Sequence, residues 1–390
     1  MAHEDGTDSM NPHCTSLPTD GEFTFATRQA STKSGASTLT ELEKLVRGVP
    51  DPVVREFLLM ADDSIVTVLP YALAIAARLG VADACAPDGS TPEDLADTVG
   101  FAAEPLMSLL NALTGAGFFA RDHRGRFTPT ELGAVLKADS AVSMRATLSN
   151  LDSYRAWLRA ADAAADRQPL PAAYGETFFV DQDTKPTTEA AFNTRMKERA
   201  KRLYGGLAQL PVWDEAHTVM DIGGGTGTVI SAILQAQPHV SGVLFDRPSV
   251  IDLAVHDTPL DPVRDRCTLV TGDFFDELPK GADVHVLGSV LHDWDDEKAA
   301  DILRASLRAL SPGGRILVCE LLVPEATEPH PAHWSDLGML VLLGGRERTL
   351  SEFDKLFATA GLMRTRVLPV GESSFSLIEA TAPQQLAQSG

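Results

Sequence analysis

Apolar spacing divides the chain into stretches of different character. Residues 1–40 are rich in Ser, Thr, Gly and Asp and carry no apolar period, which predicts a disordered leader. From Leu42 to about Leu136 the pattern is helical. Val53, Phe57, Leu58, Ile65 and Leu69 recur at helix spacing, followed by Leu73, Ile75, Ala76 and Leu79, and Gly80 stops that segment. Ser90-Thr-Pro-Glu-Asp-Leu-Ala opens another helix, with Pro92 in its first turn and acids after it. Leu106, Leu109, Leu110 and Leu113 form a further stripe that ends at Gly115–Gly117. The run from Phe118 to Thr128 then predicts a short hairpin turning at Arg124-Gly125.

Three helices and a hairpin resemble a winged-helix unit, here over residues 41–147. Residues 148–210 read as bridging helices. From Thr218 strands and helices alternate, with strands expected at Thr218–Ile222, Gly242–Asp246, Cys267–Thr271, Val284–Ser289 and Arg315–Glu320. Helices are expected between them, as at Thr228–Gln235 and Glu297–Leu310. That alternation predicts an α/β domain over 211–384, a parallel sheet covered by helices on both faces. Val367–Val370 and Ser374–Ala380 end the pattern as an antiparallel hairpin turning at Gly371-Glu372. There is no internal repeat.

Charge narrows the classes of partner. The 390 residues carry 33 Lys and Arg against 54 Asp and Glu, a formal net charge of −21, and the cations are scattered singly or in pairs. Such a chain repels a phosphate backbone, so no nucleic-acid partner is expected, although winged helices often bind DNA. A DNA-binding regulator would need a basic face, and the helix expected over Pro92–Val99 is acidic. No apolar run approaches the roughly 20 residues of a membrane span, and the amino terminus has no secretory pattern. Cys14, Cys85, Cys267 and Cys319 have no metal-ligand spacing, so no metal is expected, and Cys319 reads as a small core residue. These features predict a reduced, cytoplasmic protein.

The most informative segment is Val219-Met-Asp-Ile-Gly-Gly-Gly-Thr-Gly-Thr-Val-Ile, a strand, a glycine turn and a helix start. In open parallel sheets such a loop lies at the ligand crevice beyond the strand ends. The spacing is Gly223-x-Gly225-x-Gly227, and Thr228 stands where a dinucleotide motif places its third glycine. Asp221, inside the strand end, suits the amino-acid portion of a sulfonium ligand better than a pyrophosphate. Asp246 ends the next strand, placed for ribose hydroxyls. Asp273 and Phe274 follow the third, placed for the amino group and face of an adenine.

Five ordered motifs carry a family resemblance: Asp221-Ile-Gly-Gly-Gly-Thr-Gly, Gly272-Asp-Phe-Phe, Leu291-His-Asp-Trp-Asp-Asp, Ser311-Pro-Gly-Gly-Arg and Gly344-Gly-Arg-Glu-Arg-Thr. With them, residues from about Val53 to Ala380 resemble the small-molecule O-methyltransferases of plant phenolic and bacterial antibiotic pathways. The resemblance implies a Rossmann-like, seven-stranded sheet with a reversed last strand that binds S-adenosylmethionine (SAM) and releases S-adenosylhomocysteine. It also implies a helical, winged-helix-like amino-terminal dimerisation domain and therefore a homodimer. The cofactor set is then Asp221, Gly223, Gly225, Gly227, Asp246, Arg247, Asp273, Phe274, Ser289, Asp293 and Trp294.

A phenol has a pKa of about 10, so transfer to a hydroxyl near neutral pH is helped by a base, and histidine suits that role. His292 follows the fourth strand on the ligand side, and the resemblance makes it the general base, supported by Glu320 and Glu347. Glu320 is expected to emerge at the end of its strand. Glu347 is the weaker candidate of the two, since a glutamate between two arginines also reads as an exposed ion pair. Acceptor contacts are expected from Trp157, Phe178, Phe192, Asn193, Met196, Trp334, Asp336 and Met339. The plant enzymes place Asn before the Gly-Gly pair and Lys four residues before the histidine. Here Leu342-Leu343 and Gly288 stand at those places, which sides with the bacterial branch and a polycyclic or glycosylated aromatic acceptor. Hydroxylation or cyclisation with SAM as a bystander, and N- or C-methylation, are the alternatives within this fold.

Overall fold

The computed structural model describes residues 63–168, 186–326 and 328–383. The expected leader, the apolar positions before residue 63 and Phe178 lie outside them.

The amino-terminal part holds helices α1 (Asp63–Leu79), α2 (Pro92–Val99) and α3 (Ala103–Gly115), then strands β1 (Phe119–Arg121) and β2 (Phe127–Pro129). Thr91 caps α2 through its side chain, and Gly100 closes it in the left-handed region. Asp122 fixes the β1–β2 turn, its carboxylate accepting the amides of Arg124 and Arg126. Leu106, Leu110 and Leu113 of α3 are fully buried with Leu95, Phe119, Phe127 and Leu136, while Leu109 is only half-buried. Ile75 differs from the expectation. It is exposed with Val68 and Tyr71 along one face of α1, an apolar stripe at helical spacing.

Helices α4 (Leu151–Ala165) and α5 (Pro186–Leu203) lead into the sheet domain. There β3 (Thr218–Ile222), α6 (Thr228–Ala236), β4 (Ser241–Asp246), α7 (Pro248–His256), β5 (Cys267–Thr271), β6 (Val284–Gly288), α8 (Asp296–Ala309) and β7 (Arg315–Val323) follow. Helix α9 (Pro331–Leu342), the two-residue β8 (Arg348–Thr349), α10 (Leu350–Ala360), β9 (Met363–Pro369) and β10 (Phe375–Thr381) complete the described chain.

The strand order is β5-β4-β3-β6-β7-β10-β9, with β8 paired to the end of β7. All pairs from β5 to β7 are parallel, and β10 runs antiparallel to both its neighbours. The central strands are apolar on both faces because helices cover both. Leu317 and Cys319 point into the layer holding Ile230 and Leu234, and Ile316 and Val318 into the layer holding Ile302 and Phe357.

Two strand ends differ from expectation in ways that shape the site. Strand β6 stops at Gly288 because Ser289 adopts a positive φ of 53°, which turns the chain away from the sheet. Strand β7 runs three residues past Glu320, since Leu321 pairs with Phe375 of β10, and Leu322 and Val323 pair with β8. Glu320 therefore lies within the strand and is fully buried. Among the described residues no helix is long and apolar enough to cross a membrane.

Candidate active site

The sheet order reverses between β3 and β6, and a cavity of about 860 Å³ opens beyond the carboxyl ends of these strands. The β3–α6 loop forms one wall. A side chain at Gly224 would strike the Asp221 carboxylate at 2.6 Å and Leu244 at 2.5 Å, so the loop can fold over β3 only as glycine. Beneath it Asp221 is almost wholly buried, and its Oδ2 has no hydrogen-bond partner among the described residues. Burial, with repulsion from Asp246, raises its carboxyl to about 7. A buried carboxylate with one oxygen left without a donor is suited to a cationic ligand.

Asp246, at the end of β4, accepts the amides of Gly225 at 2.8 Å and Arg247 at 2.7 Å, which fixes its carboxylate at the cavity wall. Asp273 beyond β5 accepts the Phe275 amide at 2.9 Å. Phe274, Phe275 and Trp294 form an edge-to-face trio, with centroids 4.9–6.0 Å apart, that closes one end of the cavity. Three carboxylates at successive strand ends and an aromatic wall fit the ammonium, ribose and adenine of SAM. Gly223, Gly225, Ser289 and Asp293 also line this cavity, whereas Gly227 begins α6 beside Leu260.

His292 sits in a single 3₁₀ turn, Leu291–Asp293, after β6, and is 3% exposed. Its Nδ1 lies 3.0 Å from Glu347 Oε1 and 3.3 Å from Glu320 Oε2, and its Nε2 lies 3.4 Å from Asp293 Oδ1. Burial alone would favour the neutral ring, but Glu320, Glu347 and Asp293 override it and raise the imidazole to about 9. Burial raises Glu320 to about 7 and Asp293 to about 6, in each case partly offset by the His292 charge. Burial also opposes ionisation of Glu347, yet His292 and the hydrogen bonds from His292 and Ser335 hold its carboxyl below the usual range.

The backbone explains how these groups are held together. Glu320 Oε1 accepts the amides of Val290 and Leu291, bracing the turn from below. The Gly344-Gly-Arg-Glu-Arg-Thr segment braces it from the side. A Cβ at Gly345 would meet the His292 carbonyl oxygen at 2.1 Å, and the Arg346 amide donates to that oxygen at 2.9 Å. Arg348 is buried and donates to the carbonyls of Leu291 and Trp294, at 2.9 and 2.8 Å, and to Asp296. Glu347 is thus a buried partner of the histidine and not an exposed ion pair.

The expected acceptor residues separate into two groups. Phe192, Asn193 and Met196 on α5 line the cavity. Trp157, Trp334, Asp336 and Met339 do not: Trp157 and Trp334 are exposed on the packed helices α4 and α9, Met339 is half-buried on α9, and Asp336 accepts the Glu347 amide. Sequence reasoning missed Arg199, Tyr204, Phe275, Lys298 and Arg348. Helical spacing was the available signal for the first two, since Arg199 lies seven residues after Phe192 and Tyr204 eight after Met196.

The chain matches the model of the O-methyltransferase domain over residues 157–363 and that of the O-methyltransferase dimerisation domain over 66–139. It is 38% identical over 314 residues to the phenazine O-methyltransferase PhzM of Lysobacter antibioticus, covering 79% of this chain and 91% of that one. It is 32% identical over 335 residues to the aclacinomycin 10-hydroxylase RdmB of Streptomyces purpurascens, covering 82% and 89%. Among solved structures it resembles NcsB1, an O-methyltransferase from neocarzinostatin biosynthesis in complex with SAM and 2-hydroxy-5-methyl naphthoic acid. That match has a TM-score of 0.67 and 35% identity, covering 81% of this chain and 96% of that one.

Proposed function

Because the chain belongs to the SAM-dependent O-methyltransferase family, we propose that its acceptor is a hydroxyl on a polycyclic aromatic natural product and that His292 is the general base. SAM supplies an electrophilic methyl group on a sulfonium. Asp221 would hold its ammonium, Asp246 its ribose, and Asp273 with Phe274 its adenine. The observation that carries the reading is the buried His292, flanked by Glu347 and Glu320 on Nδ1 and by the cavity-lining Asp293 on Nε2.

In the unliganded protein the three carboxylates keep the imidazole protonated at neutral pH, so turnover begins from the fraction that has lost this proton. His292 does not itself line the cavity; with Nδ1 taken by Glu347, its Nε2 faces Asp293 at 3.4 Å, and Asp293 does line it. Asp293 is the member of the cluster that reaches the cavity wall, and it links the acceptor hydroxyl to Nε2. The acceptor's proton passes to the His292–Asp293 pair, and Glu347 and Glu320 stabilise the imidazolium formed. Cavity residues of α5 align the acceptor ring. The exposed Val68, Tyr71 and Ile75 of α1 lie in the matched dimerisation region, and we assign them to a homodimer contact.

The test is calorimetric titration of SAM and S-adenosylhomocysteine, followed by mass spectrometry of polycyclic phenols incubated with enzyme and SAM. A gain of one methyl group, reduced about 100- to 10,000-fold in His292→Ala, is expected. The similarity to a hydroxylase favours one alternative, in which the product gains oxygen instead. Such a product, or SAM binding with undiminished methylation in His292→Ala, contradicts the base-assisted reading.

A further inference from the structure

One cation of the cavity forms no ion pair within 4 Å among the described residues, although its charge helps to hold Asp293, Glu320 and Glu347 ionised. That cation, Arg199, on the α5 face that also supplies Phe192, Asn193 and Met196, lines the cavity half-buried and makes no ion pair or hydrogen bond with any described residue. Its guanidinium lies 5.9 Å from the ring centroid of the buried Phe375, which in turn packs edge-to-face on Tyr204. Another cavity cation, Lys197, is held by Asp257. A second feature points to a ligand. Asn193 is 8% exposed, lines the same cavity, and its Nδ2 has no hydrogen-bond partner among the described residues. The two residues stand six positions apart on α5, a rise of about 9 Å between their backbone positions.

We propose that Arg199 is the specificity residue for an acceptor bearing a carboxylate, which its guanidinium grips while Asn193 donates to a second oxygen on the same ring system. This deepens the methyl-transfer reading above and rests on it for the identity of the cavity. The physical case is one of placement. A guanidinium held near a buried ring by a cation–π contact can still offer two N–H groups to a carboxylate, and that contact restrains it before the ligand arrives. Two separate donors on one helix can engage two polar groups of one acceptor, the carboxylate at Arg199 and a second oxygen at Asn193. Of the cavity carboxylates, Asp221, Asp246 and Asp273 lie at the strand ends assigned to the cofactor and Asp293 beside His292, so Arg199 on α5 supplies the positive charge that an acidic acceptor needs against them.

The experiment measures binding, so that it does not depend on turnover. 1,4-Dihydroxy-2-naphthoate and its methyl ester are titrated calorimetrically into the protein saturated with S-adenosylhomocysteine, for wild type, Arg199→Gln and Arg199→Lys. Charge-assisted hydrogen bonds predict that wild type binds the acid about 10- to 100-fold more tightly than the ester. Arg199→Gln is expected to lose that preference, and Arg199→Lys to keep part of it because the charge remains. Unchanged melting temperature and S-adenosylhomocysteine affinity in the variants separate this loss from misfolding. Equal binding of acid and ester by wild type overturns the proposal, as does a preference that survives in Arg199→Gln or failure of wild type to bind the acid. Methylation of neutral phenols by wild type alongside any of these results leaves the methyl-transfer reading standing and removes only the role of Arg199.

Discussion

Replacing Glu347 by Gln tests the electrostatics of the site directly. Glu347 Oε1 lies 3.0 Å from His292 Nδ1 with both side chains buried, and the imidazole is raised to about 9. At an effective dielectric of about 20, a unit charge pair at this distance is worth about 5.5 kcal/mol, or about four pKa units. Part of that loss is compensated. Glu320 Oε2 remains 3.3 Å from the same nitrogen, and its carboxyl, now at about 7, ionises more readily once the neighbouring negative charge is gone. A net fall of about 1–3 units in the His292 pKa follows, the usual range for one close opposite charge. The sign is definite: removing a carboxylate destabilises the imidazolium, so the neutral ring appears at lower pH. For wild type kcat/KM should rise with pH toward about 9, because it reports the free enzyme. In Glu347→Gln that limb should move downward by about 1–3 units while the plateau falls, since Nδ1 loses its orienting partner. Ionisation of the acceptor is common to both proteins and cancels in the comparison. An unmoved or upward-shifted limb refutes the account of the cluster, and direct titration of the His292 ring by NMR checks it without turnover.

Other expectations follow from the same geometry. Asp221 must be ionised to hold a cation, and its carboxyl stands at about 7, so SAM affinity should fall as pH drops below that value; Asp221→Asn should bind SAM weakly with that dependence gone, as calorimetry across pH would show. Gly345→Ala would place a methyl 2.1 Å from the His292 carbonyl oxygen, and a shift of about 1 Å in the turn should lower kcat about 100-fold with SAM binding retained. Leu110→Ala removes a fully buried side chain of α3 and should cost about 2–5 kcal/mol in chemical denaturation, without changing the pH profile of whatever activity remains.

The strands, their order of use and the glycine turn were legible because they depend on local alternation and on residues adjacent in sequence. Apolar runs such as Val219–Ile222 mark a strand buried on both faces wherever it ends up, and Asp221 followed by glycines marks its ligand end. His292 and Asp293 were legible for the same reason, as neighbours after a strand. The exposure of Ile75 was not, because an apolar stripe does not state whether the chain's own core or another surface will cover it.

The partners of the histidine needed the tertiary structure. Glu320 and Glu347 reach it from 28 and 55 positions away, and Glu320 turns inward only because β10 and β8 extend the pairing of β7 beyond it. Glu347 reads as a surface residue between two arginines until Arg348 is seen to be buried, held by two carbonyls of the histidine's own turn. Likewise Trp157 and Trp334 carry the composition of a pocket, yet they lie on faces that packing of α4 on α9 leaves outward. Sequence therefore determined the scaffold, the glycine loop and the place of His292 after its strand, each encoded within a strand and the loop that follows it. Tertiary structure decided which charges surround that histidine, because burial and distance set its proton affinity and neither is a local property of the chain.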